Sequence, residues 1–237
     1  MSNRINANQI KAELDSVIAD ADNTEPQLAQ KLRQLSRWIK DKKPGLLTKK
    51  RLVMDLIIEV MQDAKFWLKI KDLAPDEKIA FDRQAQLTPP ERYWYETLFP
   101  TWFKTPDPKL TTWTKKLMAE EFPNSDRSTI SKFANEFDNL GAPTFYRYIL
   151  DLSMATDLMI SGQLKKSLAI QLTISNPKVL DEKQNNWRET LIYWDIKRGV
   201  LFSQSPDHPI EESVKSLLER SDSLNDGCYV VDISTNN

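Results

Sequence analysis

Three polar side chains fall on one predicted hairpin in the C-terminal half of the chain. Polarity alternates in Ala155–Ser161 and in Ser167–Ser175, which predicts two paired antiparallel strands. The short turn that joins them is Gly162–Lys166. If Ser161 faces Ser167, then Asp157 lies opposite Gln171, and Thr173 follows on the same face. Magnesium takes hard oxygen ligands, usually with one or two carboxylates among them. Asp157 supplies a carboxylate, and Gln171 supplies a neutral amide oxygen.

The rest of the composition narrows the chemistry further. His208 is the single histidine and Cys228 the single cysteine. The single histidine therefore argues against Ser-His-Asp catalysis and most zinc sites. Any reaction must run on carboxylates, amides and lysines, with or without a bound hard cation.

Cysteine usage and hydropathy indicate where the chain works. Cys228 has no second cysteine to pair with, which fits a reducing cytoplasm. The first residues lack the apolar core of a secretory signal, and no apolar run approaches the ~20 residues of a membrane span. We expect a cytoplasmic protein with no membrane partner.

The elements around the hairpin follow from hydrophobic periodicity. Thr144–Leu152 fits a strand or a helix equally well. The other predicted elements are two helices and a strand, then a further helix and strand: Arg127–Asn139, Asp181–Asp195, Gly199–Ser205, Ile210–Arg220 and Cys228–Ile233. We expect the apolar hairpin residues to pack on the helix that carries Trp187, Leu191 and Trp194; these residues are Leu158, Ile160, Leu168, Ile170 and Leu172.

This order, a helix, three strands, a helix and a strand, resembles the core of the restriction-endonuclease-like (PD-(D/E)XK) superfamily. The resemblance covers roughly residues 127–205, about a third of the chain. The family is known by an Asp…(Asp/Glu)-x-Lys motif, which holds Mg²⁺ and orients the attacking water. The positions that match are Asp157, Gln171 and Thr173. The resemblance also implies a helix acid, Glu136, and a relocated lysine, Lys166 or Lys183.

Two of the three motif positions depart from the family pattern. Gln171 is neutral where the family has an acid, and Thr173 cannot supply a lysine's charge to the developing phosphorane. The resemblance therefore implies a nuclease-like domain whose catalytic site is eroded. Two alternatives stay open: an active Mg²⁺-dependent DNA endonuclease, with Mg²⁺ as its cofactor and Asp157 as its metal ligand, and a polar strand pair that simply faces solvent.

A second set of candidate residues lies in the N-terminal half. Between Lys31 and Arg51 there are nine basic residues and one acid, although the whole chain carries a net charge of −1. Local positive charge is what phosphate binding requires. We expect nucleic acid, with DNA favoured over RNA, to contact Arg37, Lys40, Lys42, Lys43, Lys49, Lys50 and Arg51. The alternative is a solvated helix face followed by a lysine-rich loop.

Three amphipathic helices, over about 6–22, 25–41 and 48–71, are long enough to form a bundle. Residues 87–110 are rich in proline and aromatic residues, which we interpret as anchors to a core, with base stacking as the alternative. The stretch over residues 113–137 also resembles a helix-turn-helix, in competition with the nuclease-core interpretation, which covers more of the chain.

The sequence therefore predicts an α+β protein: a helical N-terminal region and a restriction-endonuclease-like mixed α/β domain. The expected regions are a helical bundle at 1–88, a connecting segment at 89–126 and the α/β domain at 127–237. By analogy alone, its function would be nucleic-acid binding within a larger defence or mobile-element assembly. The rival hypothesis is a non-enzymatic protein-interaction module.

Overall fold

The computed structural model describes residues 7–40, 50–119, 124–173, 177–205 and 207–233. The chain forms two compact units, and each is built from two stretches of sequence. One unit takes in the chain up to Gln86 and then Phe99–Phe122, and the other takes in Leu87–Leu98 and the chain from Pro123 onward. The predicted connecting segment 89–126 is thus divided between the two units.

The first unit is helical. Its helices within the described ranges are α1 (Ala7–Thr24), α2 (Pro26–Lys40), α3 (Arg51–Ile70), α4 (Pro75–Ala85), α6 (Phe99–Lys104) and α7 (Leu110–Ala119). The predictions of α1, α2 and α3 are confirmed. Among the described helices of the whole chain, none is long and apolar enough to cross a membrane.

Apolar residues at helical spacing form the core of this unit. Buried side chains recur along α1, α2 and α3: Ile10, Leu14, Val17, Leu28, Leu32, Leu35, Leu56, Ile57 and Val60. Aromatic rings extend this core, because Trp67 packs edge-on against Phe103, with ring centroids 4.9 Å apart. The interpretation of these aromatics as anchors is confirmed, but the segment that carries them is helical rather than irregular.

The second unit combines helices with a sheet, which confirms the α+β class. Its helices are α5 (Pro89–Tyr93), continued by a π-helical turn (Trp94–Leu98), then α8 (Asn124–Asn139), α9 (Tyr148–Met154), α10 (Pro177–Tyr193) and α11 (Ile210–Ser223). Its strands are β1 (Thr144–Phe145), β2 (Leu158–Ser161), β3 (Ser167–Thr173), β4 (Gly199–Ser203) and β5 (Tyr229–Ile233). The ambiguous segment 144–152 therefore divides into a short strand and a helix.

The five strands lie in the order β1-β2-β3-β4-β5. The pairs β1–β2 and β2–β3 are antiparallel, whereas β3–β4 and β4–β5 are parallel. Ser161 pairs with Ser167 and Leu158 with Ile170, so the predicted register of the hairpin is confirmed. Because side chains alternate along a strand, this register decides which residues share a face.

One face of the sheet, here called the α8 face, packs against α8 and α11. Its sheet residues are Leu158, Ile160, Leu168, Ile170, Val200 and Phe202, and the helices add Phe133, Phe137, Val214 and Leu217. The prediction that the hairpin residues pack on the helix carrying Trp187 is therefore wrong. That helix, α10, is amphipathic in the same way as α8 and α11, so periodicity alone does not reveal which face of the sheet each one covers.

The opposite face, here called the α10 face, carries the odd-numbered strand residues. Helix α10 approaches closely at Gly199, where an added Cβ would lie 2.4 Å from Leu191 Cδ1 and 2.8 Å from Trp187 Cζ2. Residues of the 87–98 segment cover the same face beside β1, where the ring of Trp94 packs against that of Phe145. Thr88 begins this segment with a capping box that it shares with Glu91.

The turn between β2 and β3 is fastened to the C-terminal part of α11. The carboxylate of Asp222 accepts hydrogen bonds from the backbone N–H groups of Gln163 and Leu164. A Cβ on Gly162 would lie 2.6 Å from Asp222 Oδ1, so a larger residue here would displace this carboxylate. The guanidinium of Arg198 is buried here and donates to the carbonyl oxygen of Ser221. Together these bonds hold the turn end of the hairpin in place.

Candidate functional site

Asp157 and Gln171 meet where the hairpin opens, on the α10 face. Asp157 directly precedes β2, and its backbone N–H donates to the carbonyl of Ile170. Its carboxylate Oδ2 accepts two hydrogen bonds, from Gln171 Nε2 at 2.6 Å and from the backbone N–H of Leu172 at 2.7 Å. Asp157 is only 8% exposed, so these two donors stabilise a nearly buried carboxylate.

Thr173 and Lys183 extend this polar group by one further contact. Lys183 is exposed in α10, and its Nζ donates to Thr173 Oγ1 at 3.0 Å. Thr173 stands where the resembled motif has its lysine, so the ammonium of Lys183 lies one hydrogen bond away from that position. Four of the five predicted catalytic residues therefore form two separate contacts, Asp157 with Gln171 and Thr173 with Lys183, whose strand members lie two residues apart on β3.

Lys166, the other candidate for a relocated lysine, lies at the opposite end of the hairpin. It belongs to the turn between β2 and β3, next to the Ser161–Ser167 pair. The four residue steps from Ser167 to Gln171 span about 13 Å of extended strand. Lys166 is therefore remote from Asp157, and Lys183 is the lysine that this fold supplies.

Glu136, the predicted helix acid, is not gathered with Asp157. It lies on α8, whose Phe133 and Phe137 pack on the other face of the sheet. Its carboxylate accepts a hydrogen bond from the Asn139 side chain. Glu136 was a candidate because of its place in chain order. However, α8 packs on the α8 face of the sheet, whereas Asp157 lies on the opposite, α10 face.

The donor set can be compared with what Mg²⁺ requires. Asp157 is the one carboxylate of this group, and the amide nitrogen of Gln171, rather than its oxygen, is turned towards it. Lys183 adds a positive charge next to Thr173. In the part of the chain that the structure describes, no group of three or more histidine, cysteine or acidic residues is placed to hold a metal ion. These residues fit Mg²⁺ poorly, because the single carboxylate is already bound by an amide N–H and the Lys183 ammonium repels a cation.

The predicted phosphate-binding residues of the first unit are placed as follows. Arg37 and Lys40 are exposed near the end of α2, Lys50 precedes α3, and Arg51 begins it. Lys42, Lys43 and Lys49 lie outside the described residues.

Neighbouring acids offset part of this positive charge. Lys40 Nζ is 3.8 Å from Asp15 Oδ1, and Arg51 Nε is 3.8 Å from Asp55 Oδ2. Exposed ion pairs of this kind are worth roughly 0–1 kcal/mol, so a phosphate can replace the acid.

Lys31 belongs to the same basic stretch, but its side chain is buried and is not available at the surface. Its ammonium donates to the carbonyl of Thr105 at 2.8 Å and lies 5.2 Å from the ring centroid of Trp102. Burial lowers the pKa of Lys31, and the nearby Asp107 opposes that shift. A count of basic residues along the sequence therefore overstates the charge available at the surface.

The helix-turn-helix interpretation required α7 and α8 to form one unit. Helix α7 belongs to the first compact unit and α8 to the second. Helix α8 also uses its apolar side, Phe133 and Phe137, to cover the sheet. The arrangement favours α8 as a helix of the α/β core.

One donor in this site, the backbone N–H of Leu172, could not be predicted from the sequence. In a regular antiparallel ladder that N–H would pair with the neighbouring strand, but here it donates to the Asp157 side chain. The sequence predicted a strand from Ala155, which would include Asp157, whereas β2 begins one residue after it, at Leu158. A carboxylate at the opening of a hairpin can reach backbone donors that the ladder leaves over.

Comparison with models of protein families, with curated protein sequences and with solved structures produced no match for this chain.

Proposed function

We propose that this chain binds nucleic acid and that its α/β unit is a restriction-endonuclease-like domain with a catalytically eroded site. The observation that carries the proposal is a pair of neighbouring contacts, Asp157 with Gln171 and Thr173 with Lys183. It occupies two adjacent strands and the helix that follows them, where the resembled family has its motif.

The strand order supports the same proposal. Along the chain, α8 and β1 are followed by the short helix α9, the antiparallel hairpin, α10 and the parallel strand β4. Apart from α9, this is the order on which the family resemblance rests. The topology by itself defines no function, since one fold can host many.

Erosion is proposed because of charge. The group offers Mg²⁺ a single carboxylate, and the Gln171 amide already engages that carboxylate. What remains is the exposed ammonium of Lys183 beside polar side chains, which can bind a phosphate group without breaking it. DNA is the proposed partner, and the exposed cations around Arg37 and Arg51 would contribute to backbone binding.

The test is a filter-binding titration of the full chain with duplex DNA from low to high salt. Replacing Lys42 and Lys43 with alanine should weaken binding to every sequence and flatten the salt slope by about two units. Alanine at Lys115 and Lys116, two exposed lysines of α7, is the matched control and should change the slope less. A wild-type protein that binds no nucleic acid even at low salt would favour the protein-interaction module instead.

A second candidate, an active endonuclease, is favoured by one observation, the contact of Lys183 with Thr173. In that case Lys183 would supply the positive charge of the motif lysine. Plasmid nicking by the unaltered protein with Mg²⁺, abolished by both Asp157→Ala and Lys183→Gln, would replace the eroded-site proposal. No nicking under the same conditions would support erosion.

A further inference from the structure

Strand β5 forms one edge of the five-stranded sheet. It pairs with β4 and, among the described strands, with no other. The opposite edge is β1, which is only two residues long, so β5 is the longer edge. A strand at a sheet edge presents a row of backbone groups that can pair with a further strand.

The outward-facing backbone groups of β5 belong to every second residue. The backbone N–H of Gly199 donates to the carbonyl of Cys228, and Gly199 pairs with Tyr229. In a parallel ladder, a residue bonds to the two neighbours of its partner, so the partner itself turns its N–H and C=O away. Tyr229, Val231 and Ile233 therefore direct their backbone groups to the outside of the sheet.

The same three residues carry apolar side chains on one face. Because side chains alternate, Tyr229, Val231 and Ile233 all lie on the α10 face. The ring of Tyr229 packs edge-on against Trp187 of α10, with centroids 6.3 Å apart. Val231 is half-buried, and Ile233 is 48% exposed. Proteins commonly protect an edge with lysine or proline at such positions, and β5 has neither.

The one charged residue of β5 is paired within its own unit. Asp232 accepts two hydrogen bonds from the guanidinium of Arg220, at 2.8 Å and 3.0 Å. Val230 lies on the same side and packs against the core of the α8 face. The charge of Asp232 is therefore balanced and does not repel an incoming strand.

We propose that β5 pairs with β5 of a second copy of this chain, antiparallel about a two-fold axis at Val231. This register places Val231 opposite Val231 of the other copy, and Tyr229 of each copy opposite Ile233 of the other. Each outward-facing residue then meets an outward-facing residue, so every such pair exchanges two hydrogen bonds. An aromatic side chain opposite a β-branched one is a favourable cross-strand pair.

The pattern of β5 suits a second copy because it is symmetric about Val231. A two-fold axis needs the same kind of side chain at equal distances on both sides, and Tyr229 and Ile233 meet that need. Asp232 falls opposite Val230 of the other copy, so the two carboxylates do not face each other. Pairing about a two-fold axis also uses both edges and closes, whereas a strand added in parallel leaves a new edge. The proposed dimer does not depend on nucleic-acid binding.

Sedimentation of the full chain from about 1 to about 200 µM tests the pairing, since a short edge contact is a small interface and should dissociate reversibly. Ile233→Lys places a charge in the contact and should weaken dimerisation by about tenfold or more. Ile192→Lys adds the same charge to another exposed isoleucine of this unit, on α10, and should weaken it by no more than about threefold.

Val231→Pro separates backbone pairing from side-chain packing. Proline removes the outward N–H of Val231 and no bond to β4, so this variant should fold and should dimerise at least about tenfold more weakly. Should it lower the folded fraction, Ile233→Lys carries the test, because Ile233 is exposed.

A disulfide reports the register. Two Val231 Cα atoms in a hydrogen-bonded antiparallel pair lie about 5.5 Å apart, within disulfide range. Val231→Cys should therefore form a cross-linked dimer under mild oxidation. The native Cys228 is the control, because two Cys228 residues lie about 20 Å apart in this register and should not cross-link.

Three results would overturn the proposal. A wild type that stays monomeric up to about 200 µM would leave this edge to a strand of a different protein. A dimer that Ile233→Lys and Val231→Pro both leave intact would lie on another surface. Cross-linking of the wild type through Cys228 as fast as that of Val231→Cys would rule out the register.

Discussion

Replacing Gln171 with glutamate should place two carboxylates against each other. Gln171 Nε2 lies 2.6 Å from Asp157 Oδ2, so an acid in its place exchanges a donor for a second negative charge. Two unit charges about 4 Å apart repel by about 4 kcal/mol at an effective dielectric of about 20. Side-chain rotation and water will relieve part of this repulsion. We expect Gln171→Glu to lower the free energy of unfolding by about 2–4 kcal/mol at neutral pH.

The loss should depend on pH in a defined direction. Carboxylates in contact raise the folded-state pKa of one member above its unfolded value. The penalty is therefore absent at low pH, where the pair shares a proton, and grows as the pH rises through the unfolded-state pKa. Mg²⁺ should restore stability, because an ion bound to the folded state alone shifts the equilibrium towards it.

Urea unfolding followed by tryptophan fluorescence, at about pH 5 and about pH 8, measures the effect. Asn135→Asp is the matched control, since it adds a carboxylate to an exposed position of α8 in the same unit. A Gln171→Glu variant as stable as the wild type at both pH values would refute the contact between Asp157 and Gln171. An equal loss at both pH values would refute the charge argument.

Three other changes test separate parts of the structure. Trp187→Ala should cost about 3–5 kcal/mol in urea unfolding, because Trp187 is buried against Gly199, and a loss below about 1 kcal/mol would mean that α10 is not docked there. Gln171→Glu combined with Thr173→Lys rebuilds the family pattern and should gain Mg²⁺-dependent nicking of plasmid DNA, which Asp157→Ala should abolish in the same background. Burial raises the pKa of Tyr93 to about 12. The protonated Tyr93 side chain therefore stabilises the fold below about pH 10, and this stabilisation is lost as the pH rises through about 12. The urea midpoint of the wild type should fall over that range, and the midpoint of Tyr93→Phe should fall less.

The hairpin could be predicted from its residues because its two signals agree. Alternation defines which residues share a face, and the short turn at Gly162 fixes the register. Asp157 and Gln171 were paired correctly for this reason. A contact between neighbouring strands depends on a few local residues, so the sequence carries most of the information about it.

The positions of the helices could not be predicted in the same way. The four residues of β2 are buried on both faces, so apolar side chains do not distinguish one side of the sheet from the other. Helices α8, α10 and α11 each present an apolar stripe that suits either face. Glu136 and Trp187 were misplaced because their positions depend on that choice. Gly199 is the one local mark of where α10 approaches, and it becomes informative only beside Trp187 and Leu191.

The interleaving of the two units limits how this protein can be divided. The chain leaves the first unit after Gln86, returns to it at Phe99 and leaves again after Phe122. A fragment that begins at Arg127 would lose the ring contact between Trp94 and Phe145. It would also lose the hydrogen bond that the Ser167 hydroxyl donates to the Pro89 carbonyl.

A fragment that begins at Leu87 keeps those contacts but carries Phe99 and Trp102, which are buried in the first unit, into water. Exposed aromatic surface of this kind promotes aggregation. During synthesis, Leu87–Leu98 of the second unit are made before Phe99–Phe122, which complete the first unit. Domain transplantation, circular permutation and proteolytic trimming of this protein should therefore succeed only where both units are kept whole.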